Sequence, residues 1–163
     1  MNIFVINSGS SSLKYQLIQM PNATMLCTGL VDRIGLENAT LTHKTYVNNT
    51  ETITKESAII PTHNAALQRV VQLLTQDAIA VIQHTSDIKI VGHRVVHGGS
   101  NFSTTTIITQ AVKDKILELF PLAPLHLPAN YTGIEVAEKI FTGAQQIAVF
   151  DTAFHQTMPP KAY

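Results

Sequence analysis

The segment 7–14 reads Asn-Ser-Gly-Ser-Ser-Ser-Leu-Lys and follows directly on the apolar run 3–6. The apolar run stops at a glycine and several serines, and strand-forming residues resume at 13–20. This pattern predicts two strands joined by a tight turn. Small residues let the backbone come close to a ligand, and their N–H groups and hydroxyls can surround an anion. The other common phosphate loop, Gly-x-x-x-x-Gly-Lys-Ser/Thr before a helix, is absent from the sequence. The segment therefore predicts a phosphate-binding hairpin, with an ordinary Ser/Gly turn as the alternative.

The hairpin is expected to continue into a β-meander. Strand-forming residues recur at 24–34, and the threonine-rich stretch 40–54 alternates as half-exposed strands do. Pro61 ends this pattern.

Downstream of the meander, helices and strands alternate. Thr62 is expected to cap a helix that continues or restarts through Ile79 and Ile82. Thr109 is expected to cap a second helix, and Pro128 to lie in the first turn of a third. Apolar strands are predicted at residues 88–96 and 147–150. This order predicts an α/β or α+β fold with a mixed central sheet flanked by helices.

The composition is that of a globular protein. Of 163 residues, 45% are hydrophobic and 13% are charged, which suits one domain, or one domain and a fragment of the next. The net charge is zero, so nothing favours nucleic acid or an anionic membrane as a partner. Cys27 is the only cysteine, which favours a reducing compartment. With no signal peptide and no membrane span in the pattern, we expect a cytoplasmic protein.

Three apolar strands end in polar residues that suit phosphoryl transfer. These residues are Asn7, Arg94 and Asp151. Oxygen ligands hold Mg²⁺, and a guanidinium spans phosphate or carboxylate oxygens. Ligands of sheet-based α/β folds gather at strand ends. Each residue also has a purely structural interpretation, namely a turn for Asn7, an ion pair for Arg94 and a turn cap for Asp151.

Other chemical interpretations are weaker. His93 and His97 are four residues apart, but they lie in a strand-like stretch without a His-Glu-x-x-His frame, so a zinc site is not expected. Ser11 and Ser12 lack the Gly-x-Ser-x-Gly frame of an acyl-transfer nucleophile. The loop 122–128 is stiffened by proline and holds one histidine, which suits either a packed loop or a pocket wall.

Four segments together resemble the acetate kinase family. They are Asn7-Ser-Gly-Ser-Ser-Ser-Leu-Lys14, Gly92-His-Arg-Val-Val-His-Gly-Gly99, Ala123-Pro-Leu-His126 with Pro128 and Asn130, and Val149-Phe-Asp-Thr-Ala-Phe-His155. That family belongs to the superfamily of acetate and sugar kinases, Hsc70 and actin. The resemblance implies an α/β, RNase H-like (actin-like ATPase) domain over residues 1–151. It further implies that residues 152–163 begin the connection to a second domain.

The resemblance implies reversible phosphorylation of acetate by ATP, with Mg²⁺, to give acetyl phosphate. Asn7 and Asp151 would then lie at the Mg²⁺ and the phosphates. Ser10, Ser12 and Lys14 would belong to the phosphate hairpin.

The same resemblance implies the residues that bind the acid. Arg94 would hold the carboxylate and the migrating phosphoryl group, and His126 would help to bind one or the other. Val96 and Leu125 would line the pocket for the acetate methyl group. Relatives that prefer propionate tend to have a smaller residue in place of Val96, which favours acetate here.

Members of this family are much longer than 163 residues. The remainder would supply a further histidine and arginine, an acidic Mg²⁺ ligand and the adenosine pocket, so the chain alone is expected not to turn over. The family is typically dimeric through its other domain, which implies a homodimer for the complete protein. The implied partners are acetate, ATP or ADP, and acetyl phosphate, with no nucleic acid and no membrane.

Three alternatives remain open. The first is a propionate or butyrate kinase. The second is a fragment that binds phosphate without catalysing a reaction. A sugar or glycerol kinase is disfavoured, because such enzymes generally need a basic carboxylate beside a neutral hydroxyl, whereas Arg94 and His126 suit an anionic acceptor.

Overall fold

The computed structural model describes residues 1–48, 50–75 and 78–155. Residues 154 and 155 are described by their backbone alone. Short 3₁₀ helices lie at Thr85–Asp87 and Phe120–Leu122. Within the described residues the strands and α-helices are β1 (Asn2–Ser8), β2 (Ser12–Gln19), β3 (Thr24–Asp32), β4 (Ala39–Val47), β5 (Thr50–Ala58), α1 (His63–Thr75), β6 (Ile88–Val95), β7 (Thr106–Ile107), α2 (Gln110–Glu118), α3 (Leu127–Ile140), β8 (Gln145–Phe150) and α4 (Asp151–His155).

These strands form one mixed sheet in the order β5-β4-β3-β2-β1-β6-β8-β7. β1 to β5 are an antiparallel meander, whereas β1, β6 and β8 run parallel to one another. The arrangement confirms the predicted mixed central sheet. β7 pairs antiparallel with β8 and is an edge strand that the sequence pattern did not indicate.

The described helices pack against one face of the sheet. In β1, Phe4 and Ile6 are buried in the core, while the alternate residues Val5 and Asn7 face the other way. α1 and α3 cover the meander side of the core, and α2 joins α3 beside β6 and β8. On the opposite face, Gly92 has nothing within 4 Å of the position that a Cβ would take. That face is open in the described part of the chain, and Asn7 lies on it.

The predicted helix starts are confirmed. The Thr62 hydroxyl oxygen accepts a hydrogen bond from the Ala65 N–H at 3.1 Å, and that of Thr109 accepts one from Val112 at 3.4 Å. Pro128 lies in the first turn of α3, where its missing N–H leaves no helical bond unmade.

The predicted extension of the first helix through Ile79 and Ile82 is wrong. α1 ends at Thr75, and both residues lie outside it. The N–H groups of Val81 and Ile82 donate to the Leu74 carbonyl at 3.0 and 3.1 Å, so the chain turns back over the helix end. Ile82 is 8% exposed and reaches the core from this loop. Apolar spacing alone could not distinguish such a loop from another helical turn.

A buried tyrosine fills the space left by a glycine inside the meander. Tyr15 in β2 pairs in register with Gly29 in β3. Its hydroxyl forms a hydrogen bond with Nδ1 of His43 at 2.6 Å, and burial raises the pKa of Tyr15 well above its usual value. A Cβ on Gly29 would lie 2.2 Å from the Tyr15 hydroxyl oxygen, so only glycine leaves room for the ring in this position.

The proposed boundary at residue 151 falls where β8 passes into α4. The predicted connection 152–163 lies only partly within the described residues, because 156–163 are outside them, and this division stays a prediction. Among the helices that the structure describes, none is long and apolar enough to cross a membrane.

Candidate functional site

Three neighbouring strands bring their predicted site residues to one edge of the sheet. β1, β6 and β8 are adjacent and parallel, so their carboxyl ends lie together. Ile6 pairs with His93, and Arg94 pairs with Val149. Asn7 and Arg94 each directly follow a buried residue of their strand and therefore share the open face of the sheet. The carboxyl edge of a parallel sheet is the usual place for a ligand in this fold class.

Arg94 and Asp151 form a two-pronged ion pair at this edge. Nη2 of Arg94 donates to Oδ2 of Asp151 at 2.7 Å, and Nε lies 3.0 and 3.1 Å from the two carboxylate oxygens. These hydrogen bonds raise the pKa of the Arg94 guanidinium. The side chains are 51% and 37% exposed. Because such pairs typically contribute only about 0–1 kcal/mol, either partner can be redirected to a ligand at small cost.

The Ser/Gly segment forms the expected hairpin between β1 and β2. The Gly9 N–H donates to the Ser12 carbonyl at 2.8 Å and closes the turn, in which Ser10 is exposed. Nε2 of His63, at the start of α1, donates to the Gly9 carbonyl at 2.7 Å and anchors the loop. Asn7 lies directly opposite Lys14 in the hairpin register. The hairpin thus places an amide, a lysine and an exposed hydroxyl beside the strand edge.

His126 and Leu125 lie just before α3, and both are exposed, with Leu125 79% accessible. Val96 is half-buried against the core beside β6. The Val96 N–H donates to Oδ1 of Asn130 at 3.1 Å. Asn130 follows His126 by one helical turn. The loop before α3 therefore approaches the end of β6. The methyl pocket assigned to Val96 and Leu125 stays a prediction.

A groove of about 530 Å³ lies on the open face of the sheet. Its lining includes Asn7 and Lys14 but neither Arg94 nor Asp151, and it extends away from the strand ends across β3 and β4. Most of its walls are strand side chains such as Leu30 and Thr42. The groove therefore borders the candidate site and does not coincide with it.

Asn7 and Asp151 offer oxygen ligands for a metal ion. Mg²⁺ is usually bound through one or two carboxylates together with substrate phosphates and water. In residues 1–48, 50–75 and 78–155, no cluster of three or more His, Cys, Asp or Glu side chains is placed to hold a metal ion. These donor types suit Mg²⁺ that is shared with a phosphate ligand, and the assignment of Asn7 and Asp151 as its ligands stays a prediction.

The two histidines of the β6 segment have protein partners. Nε2 of His93 lies 2.8 Å from Oε1 of Gln146, and Nδ1 of His97 accepts from the Gly99 N–H at 2.9 Å. His93 is 2% exposed, and it lies on the opposite side of β6 from Arg94. These contacts join β6 to β8 and shape the loop that follows β6.

The buried His93 predicts a pH-dependent stability. Burial lowers its pKa from 6.5 to about 4, so the folded protein keeps it neutral while the unfolded chain takes up a proton. The stabilisation is therefore complete above pH 6.5 and is lost as the pH falls towards about 4. This gap corresponds to roughly 3 kcal/mol of unfolding free energy at most. Denaturant unfolding of wild type and His93→Gln at several pH values between 4 and 7 would measure this. The unfolding free energy of the variant should change less with pH than that of wild type, and an equal change in both would contradict the assignment.

Sequence reasoning gave no role to two residues that shape the site. His63 holds the hairpin through the Gly9 carbonyl. Asn130 is 4% exposed and bonds to both Ser8 and Val96. A usable signal for Asn130 existed, because it occupies a core-facing position of α3 between apolar residues at helical spacing.

The comparisons agree over nearly the whole chain. The model of the Acetokinase family matches residues 2–163. An acetate kinase of Flavobacterium johnsoniae is 56% identical over 163 residues, which are 100% of this chain and 40% of that protein. The chain thus spans about two-fifths of the length of the curated relatives it matches.

Solved structures agree as well. The crystal structure of Porphyromonas gingivalis acetate kinase has a TM-score of 0.88 and 41% identity, covering 98% of this chain and 39% of that one. A propionate kinase from Francisella tularensis has a TM-score of 0.83 and 36% identity over 98% of this chain and 39% of its own. These relatives confirm the predicted RNase H-like, actin-like α/β class. The chain belongs to the acetokinase family.

Proposed function

We propose that the complete protein containing this chain transfers the γ-phosphoryl group of ATP to acetate, reversibly and with Mg²⁺, to form acetyl phosphate. One observation carries the proposal. In a chain of the acetokinase family, a solvent-accessible Arg94–Asp151 fork lies at the carboxyl edge of the sheet, beside the strand that bears Asn7. We assign the roles of the individual residues on the same basis.

Arg94 is the proposed carboxylate-binding group. Its guanidinium already engages the Asp151 carboxylate through two nitrogens, which is the geometry that recognises a carboxylate or a phosphoryl group. A carboxylic acid has a pKa two to three units below neutral pH, on the order of 4–5, so acetate needs no general base. Its obstacle is repulsion, because two anions must meet. Positioning and neutralisation by Arg94, aided by His126, address this obstacle.

Asn7 and Asp151 are the proposed Mg²⁺ ligands, and Ser10, Ser12 and Lys14 the proposed phosphate contacts. When bound, Mg²⁺ would neutralise charge on the phosphate oxygens. Lys14 lies opposite Asn7 across the hairpin, so a cation and an oxygen ligand flank the same space. The exposed Ser10 hydroxyl can donate to a phosphate oxygen.

The proposed reaction is a direct in-line transfer. A carboxylate oxygen of acetate forms a bond to the γ-phosphorus, the bond from that phosphorus to the bridging oxygen breaks, and ADP leaves with the electron pair. No proton has to move in either direction. This explains a candidate site rich in Arg, His, Asn and Asp.

The acid preference is the sharpest test of the proposal. Val96 and Leu125 are bulky, and we assign them to the pocket for the methyl group. One methylene is worth about 1–3 kcal/mol in an apolar pocket, so kcat/KM for propionate should be about 10- to 200-fold below that for acetate. Steady-state kinetics of the complete protein with acetate, propionate and butyrate would measure this order.

A propionate kinase is the second candidate, because a propionate kinase is among the solved structures that resemble the chain. Equal or higher kcat/KM with propionate would favour it and would contradict the pocket assigned to Val96. Substituting Val96→Ala should raise the propionate-to-acetate ratio by about tenfold if the pocket assignment is right. An unchanged ratio would remove Val96 from the pocket.

We also propose that the 163 residues alone bind phosphate at most and do not turn over, since they span 40% of a curated relative. A cytoplasmic location and a homodimer formed through the rest of the protein are proposed with them. Acetyl phosphate formation by the isolated chain would contradict the first of these statements.

A further inference from the structure

We propose that Asn130 is a positioning residue that fixes the spacing between the ends of β1 and β6 and thereby sets the geometry of the candidate site. This proposal rests on the proposed function. Asn130 lies in the first turn of α3 and is 4% exposed. Its Nδ2 donates to the Ser8 carbonyl at 2.7 Å, and its Oδ1 accepts from the Val96 N–H at 3.1 Å.

The Asn130 amide takes the place of a backbone hydrogen bond between two diverging strands. Parallel pairing of β1 and β6 is last seen at Ile6 and His93. Extending that register by two residues would place Ser8 opposite Val95. The Ser8 carbonyl would then meet the Val96 N–H directly, as in a parallel ladder. In the structure the strands have separated, and the side-chain amide bridges the carbonyl and the N–H instead.

This bridge touches three segments that carry candidate site residues, namely the end of β1, the end of β6 and the loop before α3. Ser8 directly follows Asn7, and Val96 lies two residues beyond Arg94. The Asn130 N–H also donates to the His126 carbonyl at 3.0 Å. One buried side chain thus sets the distance between the proposed Mg²⁺ ligand and the proposed acid-binding residues. A shift of about 1 Å at such a point can reduce a rate 100-fold.

Gly133 supports the same interpretation independently. A Cβ at Gly133 would lie 2.6 Å from Cβ of Ser8 and 3.0 Å from its Oγ. Only a glycine therefore lets α3 approach β1 closely enough for the Asn130 amide, one turn earlier, to reach the Ser8 carbonyl. Asn130 and Gly133 of α3 therefore both contact Ser8 at the end of β1.

The bridge needs an amide, because it requires a donor and an acceptor on one planar group. In the Asn130→Asp variant, an ionised carboxylate would face the Ser8 carbonyl with an oxygen and repel it. A protonated carboxyl restores the donor, since it has one O–H and one carbonyl oxygen. Burial and the facing carbonyl should raise the pKa of the introduced carboxyl, so the repair should begin near neutral pH.

The test compares wild type, Asn130→Asp and Gly133→Ala of the complete protein, assayed with acetate, ATP and Mg²⁺. Near pH 8 we expect kcat of Asn130→Asp to fall at least tenfold with a smaller change in KM. Its kcat relative to wild type should recover several-fold between pH 8 and pH 6. Gly133→Ala should lower kcat by a similar factor without this pH dependence.

Glu56→Gln is the matched control. Glu56 lies in β5, the outermost strand of the meander. Its carboxylate accepts a hydrogen bond from Nε of Arg69 in α1 at 2.9 Å. The substitution removes the negative charge from a partly buried ion pair far along the sheet from β6, and we expect kcat and KM to stay within twofold of wild type. Circular dichroism and thermal unfolding would establish that each variant is folded at the assay temperature.

Each outcome decides the proposal. Folded Asn130→Asp and Gly133→Ala proteins with kcat within twofold of wild type would overturn it and reduce Asn130 to a core contact. A loss of kcat in Asn130→Asp that is the same at pH 6 and pH 8 would also overturn it. If wild type itself forms no acyl phosphate, the proposed function fails first, and the positioning role fails with it.

Discussion

Replacing Arg94 by alanine in the complete protein should lower kcat/KM for acetate about 30- to 1,000-fold, which corresponds to about 2–4 kcal/mol of transition-state stabilisation. The reason is electrostatic. Arg94 presents two nitrogens to a carboxylate at a half-exposed strand end, and alanine leaves two anions to approach each other without that cation. Steady-state kinetics with varied acetate and ATP would measure the loss.

Two further variants separate charge from geometry. Arg94→Lys keeps a positive charge but loses the planar guanidinium that binds a carboxylate through two nitrogens. Its kcat/KM should therefore fall between those of wild type and Arg94→Ala. Arg69→Ala removes an arginine that pairs with Glu56 far along the sheet, and its kcat/KM should match wild type. A loss smaller than tenfold in Arg94→Ala would exclude the role proposed for Arg94.

Gly29→Ala should lower the free energy of unfolding by about 3 kcal/mol, because the added methyl group would overlap a buried ring. The new Cβ would lie 2.2 Å from Oη and 2.3 Å from Cζ of Tyr15. The ring cannot easily move away, since Tyr15 is 2% exposed, forms a hydrogen bond with His43 and stacks on the His43 ring with centroids 5.8 Å apart. Denaturant unfolding of wild type and variant would measure the change.

A double-mutant cycle tests the cause of this loss. Tyr15→Ala alone should be destabilising, but adding Gly29→Ala to it should cost less than about 1 kcal/mol, because the overlapping ring is gone. The same penalty in both backgrounds would show that the clash with Tyr15 is not responsible.

Much of the fold follows from local patterns in the sequence. Alternation and turn residues identified the meander, and Thr62, Thr109 and Pro128 identified helix starts, because capping depends on residues only three or four positions apart. The predicted extension of the first helix through Ile79 and Ile82 was wrong because it, too, depended on a local pattern alone. The buried Ile82 serves the core from a loop, and a local pattern carries no information about a chain that turns back.

The candidate site was partly predictable as well. Arg94 and Asp151 are 57 residues apart, yet both lie at the ends of apolar strands, and parallel strands place such ends together. The Asn130 bridge could not be predicted in the same way. Its two partners are a carbonyl and an N–H of the backbone, which leave no mark on residue type, and its contact with Ser8, 122 residues away, exists only in the folded chain.

The most direct test of the account is the formation of acetyl phosphate by the complete protein from acetate, ATP and Mg²⁺, trapped with hydroxylamine and measured as acetyl hydroxamate. We predict steady product formation that depends on all three reactants and that drops at least tenfold when Arg94 is replaced by alanine. No hydroxamate from the folded wild-type protein, or equal amounts from wild type and the Arg94 variant, would contradict the claim that these strand ends form a site for phosphoryl transfer to a carboxylate.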